Sequence, residues 1–138
     1  MQLQRKLLIA TSFLVAISFN AVADTSKKNE PTKCSLQTLK GTYLWTSQTS
    51  EAAYAGRDSF DGRGGVVTQL SSNSNSLVKS KTGSYTVNKD CTGTQTVEGE
   101  TYNNFISPDG NSFSWVETDG SSIASGVETR ISKALLNQ

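Results

Sequence analysis

From Leu39 onward, apolar and polar residues alternate with a period of two, in short runs parted by Gly, Asp, Asn and Ser. That period sends successive side chains to opposite faces of a strand. Apolar residues hold helical spacing nowhere for more than two turns; Ile131–Leu136 offers one turn at most. Eight strands are expected: Gly41–Gln48, Ala52–Phe60, Val66–Ser71, Leu77–Val87, Thr92–Glu98, Thr101–Ile106, Ser112–Glu117 and Ser122–Ile131. Asp61–Gly64, Asn88–Asp90, Ser107–Asn111 and Asp119-Gly120 supply the turn chemistry between them. Short connections join neighbours antiparallel, so the simplest topology is a meander closed into an up-and-down barrel. The alternative is a two-sheet β-sandwich, which needs a long crossing connection that the sequence does not offer.

An even-numbered meander places its turns alternately at two ends. Cys34 precedes the first strand and Cys91 lies in the turn between the fourth and fifth, so both fall at one end. Two cysteines and no CxxC spacing point to one disulfide, with two free thiols as the alternative. Ser35–Lys40 is long enough to cross that end, extended to at most about 20 Å. The opposite end is then an open mouth, rimmed by Thr49–Glu51, Ser72–Ser76, Glu98–Glu100 and Thr118–Ser121.

Alternation also assigns faces. Tyr43 with Trp45, Tyr54 with Asp58 and Phe60, and Phe113 with Trp115 and Glu117 are read as inward sets. On the last strand Ile123, Ser125, Val127, Thr129 and Ile131 are read as inward, which turns Glu128 and Arg130 out to solvent, as Arg57 is on the second strand. Asp58, Lys81, Gln95 and Glu117 are polar residues on inward faces, and each needs a partner, water or a place at the rim. Asp58 and Lys81 could pair with each other, and a bulge at Gly83 would reset the facing of Lys81. Trp45, Tyr54, Trp115 and Glu117 are the candidate ligand-binding residues: rings for apolar contact and a carboxyl near the mouth to orient a polar group. Burial beside Trp115 would raise the pKa of that carboxyl. The blander reading has the aromatic rings simply filling the barrel.

The first residues change the count of charges. Met1–Ala23 reads as a secretory signal: Arg5 and Lys6, the apolar run Leu7–Ile17, then Ala21-Val22-Ala23. The run is too short for a membrane span, which takes about 20 apolar residues. Removal would leave a polar leader, 24–33, and one domain, 34–138. The signal holds two of the 13 basic residues and none of the 12 acidic ones, so the remainder carries a net charge of −1. That balance offers nothing to nucleic acid or an acidic membrane. Histidine is absent, which excludes Ser-His-Asp and Cys-His catalysis within the chain and disfavours a transition-metal site. No catalytic residue, metal or cofactor is assigned. The chain is expected in an oxidising compartment, the periplasm or the exterior.

Cys34-Ser35 with Leu39–Tyr43, then Phe60–Gly64, Gly83–Gly93 and Val116–Gly120, form a series that resembles a group of small exported bacterial β-barrels with the pattern CS, LKGxY, FDGxG, GxYxVxxDCxG, ETDG. The group is similar to allene-oxide-cyclase-like and lipocalin-like barrels. The resemblance implies the fold and carries over no site residue. Three functions stay open: a non-catalytic binder of a small, partly apolar ligand; a cyclase or isomerase, by analogy with those barrels; and an envelope or secreted protein-interaction module.

Overall fold

The computed structural model describes residues 33–119 and 123–136. The expected signal peptide, 1–23, and nearly all of the 24–33 leader lie outside them. Eight strands follow in order: β1 (Gly41–Gln48), β2 (Ala53–Phe60), β3 (Gly65–Ser72), β4 (Asn75–Val87), β5 (Thr92–Val97), β6 (Glu100–Ile106), β7 (Ser112–Glu117) and β8 (Ser125–Ser132). Each pairs antiparallel with the next, and β8 pairs back onto β1. The result is an eight-stranded up-and-down barrel, and the sandwich alternative falls. Closure removes both sheet edges. Turn chemistry sets the register: Glu98 and Gly99 both take positive φ (50° and 93°) in the two-residue β5–β6 hairpin, as a twist-matched turn requires. Gly110 takes φ 65° in the β6–β7 turn, the left-handed place that the Pro-Asp-Gly sequence prepares.

One end is plugged as the strand parity predicts. Cys34 and Cys91 form a disulfide, and Leu36–Leu39 makes a 3-10 turn beneath the barrel. Leu39 is fully buried in the core cluster. Tyr85 donates from its hydroxyl to the carbonyl of Leu36 at 2.9 Å. Gln37 Nε2 donates to the carbonyl of Gly62 in the β2–β3 turn at 2.8 Å. Arg130 on β8 donates to the carbonyl of Thr38. The plug is thus tied to three separate parts of the barrel wall besides the disulfide.

Above the plug lies an aromatic layer. Tyr43, Phe60, Phe113 and Tyr85 are buried and meet edge-to-face, with centroids 4.9–5.6 Å apart. This geometry suits the ring quadrupoles. Val66, Val97 and Ile106 complete the cluster.

The last strand faces the other way from the sequence expectation. Val127 is 61% exposed and Ile131 and Ile123 are exposed as well, whereas Glu128 is 2% exposed and faces the lumen. Arg130 also turns inward, at the base. Its Nε and Nη2 donate to the Tyr43 hydroxyl at 2.9 and 2.7 Å, and its guanidinium lies 5.3 Å from the centre of that ring. Interior partners decide the facing: Arg130 finds a phenol and a plug carbonyl, and Glu128 finds a second carboxyl. Three apolar residues are left in water in exchange, which is commonplace at a protein surface. Arg57 does lie on the outer wall, donating to Gln69 Oε1 at 2.7 Å.

Candidate functional site: a polar layer beneath an aromatic mouth

The middle of the barrel is polar. Asp58 (β2), Thr68 (β3), Gln95 (β5), Asn104 (β6) and Glu128 (β8) are all buried on inward faces. Asp58 accepts from Trp45 Nε1 at 2.9 Å on one oxygen and from Gln95 Nε2 at 2.7 Å on the other. Glu128 hydrogen-bonds to Asp58 through its own carboxyl. Two carboxyls in contact cannot both ionise cheaply, so the pair shares a proton. Burial is the main reason that Glu128 titrates well above its ordinary range; the Asp58 charge and hydrogen bond push the same way. Burial also raises Asp58, against the donors that favour its charge.

Lys81 does not pair with Asp58. The β3–β4 and β4–β5 registers run through Gly83 without a shift, so Lys81 keeps its inward parity. It sits nearer the mouth, 3.4 Å from Glu98 and 3.7 Å from Glu100. The same Glu100 oxygen accepts from the Tyr102 hydroxyl at 2.9 Å. Burial, then Glu100, raises the Tyr102 phenol.

The four residues nominated from sequence stand in or above this layer, and each is half-buried. Trp45 and Trp115 meet edge-on with centroids 6.2 Å apart, and Tyr102 packs edge-on against Trp115 at 5.3 Å. Each indole lies over a glycine of the strand paired beside it, Trp45 over Gly56 and Trp115 over Gly126. A Cβ at Gly56 would sit 2.6 Å from Trp45 Cζ2, and one at Gly126 would sit 2.7 Å from Trp115 Cζ2. Glycine therefore lets both rings press against the wall. Tyr54 lies one inward position above Gly56, and Glu117 pairs in register with Tyr102. The structure thus brings Trp45 and Trp115 together at one level of the barrel, the candidate chamber, and sets Tyr54 and Glu117 toward its rim.

Sequence reading missed Asn104, Tyr102 and Glu128. Asn104 is 1% exposed, and neither its Nδ2 nor its Oδ1 has a hydrogen-bond partner among the described residues. Trp115 Nε1 is likewise buried and unpartnered. The two are register neighbours on β6 and β7. Leaving a buried donor or acceptor unpaired costs about 1–3 kcal/mol, so natural interiors rarely do it. One sequence signal could have placed Glu128: Gly56-Arg57-Asp58 and Gly126-Val127-Glu128 repeat a Gly-x-acid pattern on the two strands that flank β1.

Two surface hollows lie elsewhere. A groove of about 380 Å³ runs outside the barrel past Cys91, Phe105, Ser114 and Val127. Another, of about 240 Å³, lies at the plugged end beside Lys40, Asp109 and Arg130. Among the described residues no helix is long and apolar enough to cross a membrane.

No family model and no curated protein matches the chain. Two solved structures share its fold. One is a redesigned beta barrel, mFAP1, bound to DFHBI: 20% identical, covering 69% of this chain and 97% of that one, with a TM-score of 0.54. The other is EF1p2_mFAP2b bound to DFHBI: 18% identical, covering 73% and 99%, with a TM-score of 0.55. At such low identity the likeness is one of barrel architecture.

Proposed function

We propose that this chain is an exported β-barrel that binds a small, partly apolar ligand in its upper half without transforming it. Trp45, Trp115 and Tyr54 would supply apolar contact, and Glu117 would orient a polar group near the rim. The observation that carries the reading is the unpaired Asn104 and Trp115 Nε1 below half-buried rings held to the wall by Gly56 and Gly126. A barrel built only for stability would fill that level with apolar side chains. Eight strands enclose room for about one small ligand, and two barrels of this fold hold DFHBI. The Cys34–Cys91 disulfide and the secretory pattern at the N-terminus support export. The CS, LKGxY, FDGxG and ETDG series supports placing the chain among small exported barrels. A thermal-shift screen of a small-molecule library, with native mass spectrometry of the hits, tests the reading. Stoichiometric hits whose binding is lost in Trp45→Ala support it. A full library with no hit, or hits indifferent to the chamber residues, overturns it.

A further inference from the structure

The unpaired groups also restrict what kind of molecule the chamber accepts. Trp115 Nε1–H and the Asn104 Nδ2–H group are donors that lack acceptors, and Asn104 Oδ1 is an acceptor that lacks a donor. Asn104 and Trp115 oppose each other across the β6–β7 pair, so an acceptor atom on a guest could meet two donors from adjacent strands. A guest that pairs all three groups needs an oxygen acceptor with an N–H or O–H next to it.

Charge narrows the class further. Asp58 and Glu128 are both 2% exposed and lie in the same layer. An anionic guest would bring its charge into a low-dielectric level that already holds two carboxyls, where like charges repel strongly. A cationic guest would be drawn to this pair, where Glu128 Oε2 has no hydrogen-bond partner among the described residues. However, both Asp58 oxygens already accept hydrogen bonds, from Trp45 and Gln95. An ammonium group has no acceptor atom, so it would leave Trp115 Nε1–H and the Asn104 amide N–H unpaired. A carboxylate has no hydrogen to give Asn104 Oδ1, so only a neutral guest pairs all three of these groups.

We infer that the chamber is a site for a small neutral molecule bearing a carbonyl flanked by an N–H or O–H — a lactam, cyclic urea or enolised ketone — with the carbonyl held by Trp115 Nε1 and Asn104 Nδ2 and the adjacent hydrogen donated to Asn104 Oδ1. The inference rests on the binding reading above and sharpens it. The indoles form the apolar walls of the slot, and the polar layer forms its floor. Rejection of both ions follows from the floor, because a pocket built to hydrogen-bond a group discriminates strongly against analogues that lack it.

Three bicyclic probes of similar size test this on the full chain with its disulfide intact: 2-quinolinone (a neutral lactam), 2-naphthoate and 2-naphthylmethylammonium. Binding is read at pH 7.5 by isothermal titration. The expected result is that 2-quinolinone binds at least about tenfold tighter than either ion, one hydrogen bond of about 1.4 kcal/mol being worth that factor. Asn104→Leu and Trp115→Phe should each weaken it about tenfold, with far-ultraviolet dichroism confirming that both variants fold. Val127→Ser, in the outer groove, should leave it unchanged. Equal or tighter binding of either ion overturns the inference, as does lactam binding indifferent to both chamber variants. If library compounds bind in the chamber while the lactam does not, the inference falls and the binding reading survives. If nothing binds there, both fall.

Discussion

At Asn104 an amide occupies a buried place that leucine, of nearly the same volume, would fill without loss of hydrogen bonds. Replacing an unpaired buried polar group by an apolar one of the same shape is neutral or stabilising. Asn104→Leu should therefore keep or raise the melting temperature, by up to about 5 °C per kcal/mol gained, while weakening ligand binding about tenfold. Differential scanning calorimetry of the two proteins checks it, and a large fall in melting temperature would mean that Asn104 has a structural partner. A residue that costs stability and serves binding is the usual signature of a functional site. Glu128 offers a second residue-level test. Its native pKa, and that of Asp58, lie above their unfolded values, so the native state binds more protons than the unfolded state. Stability is then fully present below about pH 4, the unfolded carboxyl range, and is lost as pH rises toward the raised native values, by about 1.4 kcal/mol per pH unit per proton. The chain has no histidine and both cysteines are bonded. Asp61, Asp90 and Asp109 titrate below the ordinary aspartate range, hydrogen bonds outweighing burial. The decline between pH 5 and 9 should thus report the buried pair. Glu128→Gln keeps a donor toward Asp58 and should flatten that decline; an unchanged slope in the variant would show that the pair does not share a proton.

At the level of strands, period-two alternation placed the inward faces of β1, β2, β4, β5 and β7, because there the inward set holds an aromatic or aliphatic residue at the base. On β8 it misled. There the inward positions are Gly126, Glu128 and Arg130, and the apolar residues point to water. Hydrophobicity sorts a strand only when burial is the main force on it; β8 is sorted by a proton shared with Asp58 and by the Tyr43 hydroxyl. Asn104 escaped for a related reason, since no single-strand pattern records that a polar residue lacks a partner on the neighbouring strands. What neighbouring strands do record is the fit of Trp45 to Gly56 and Trp115 to Gly126. Gly126→Ala should push the Trp115 ring off the wall, destabilise by about 1–3 kcal/mol as overpacking does, and weaken binding by narrowing the chamber. Denaturant unfolding followed by tryptophan emission measures both. An alanine variant with wild-type stability and affinity would show that the ring has room to spare.

For the molecule as a whole, barrel closure and the plugged end were legible because both follow from counting. An even number of strands with short turns puts Cys34 and Cys91 at one pole, and only a closed or nearly closed sheet lets Ser35–Lys40 cross beneath it. The disulfide closes a loop of 57 residues, worth about 4 kcal/mol in the chain-entropy model. The double variant Cys34→Ser, Cys91→Ser should melt more than about 10 °C lower and release the Leu36–Leu39 plug before the barrel opens, as hydrogen exchange at Thr38 and Lys40 would show. Simultaneous exchange of plug and barrel would make the two one cooperative unit.

The chain holds two tryptophans, Trp45 and Trp115, which meet edge-on in the upper half of the barrel, so its indole emission reports on that level alone. The decisive measurement is this emission, titrated with a compound that raises the melting temperature. Binding inside the barrel predicts a saturable change in emission with the same midpoint as the thermal shift, kept in part by Trp45→Phe and by Trp115→Phe singly. Thermal stabilisation with no change in emission would place the ligand outside, in the groove beside Phe105 and Val127, and would contradict the chamber.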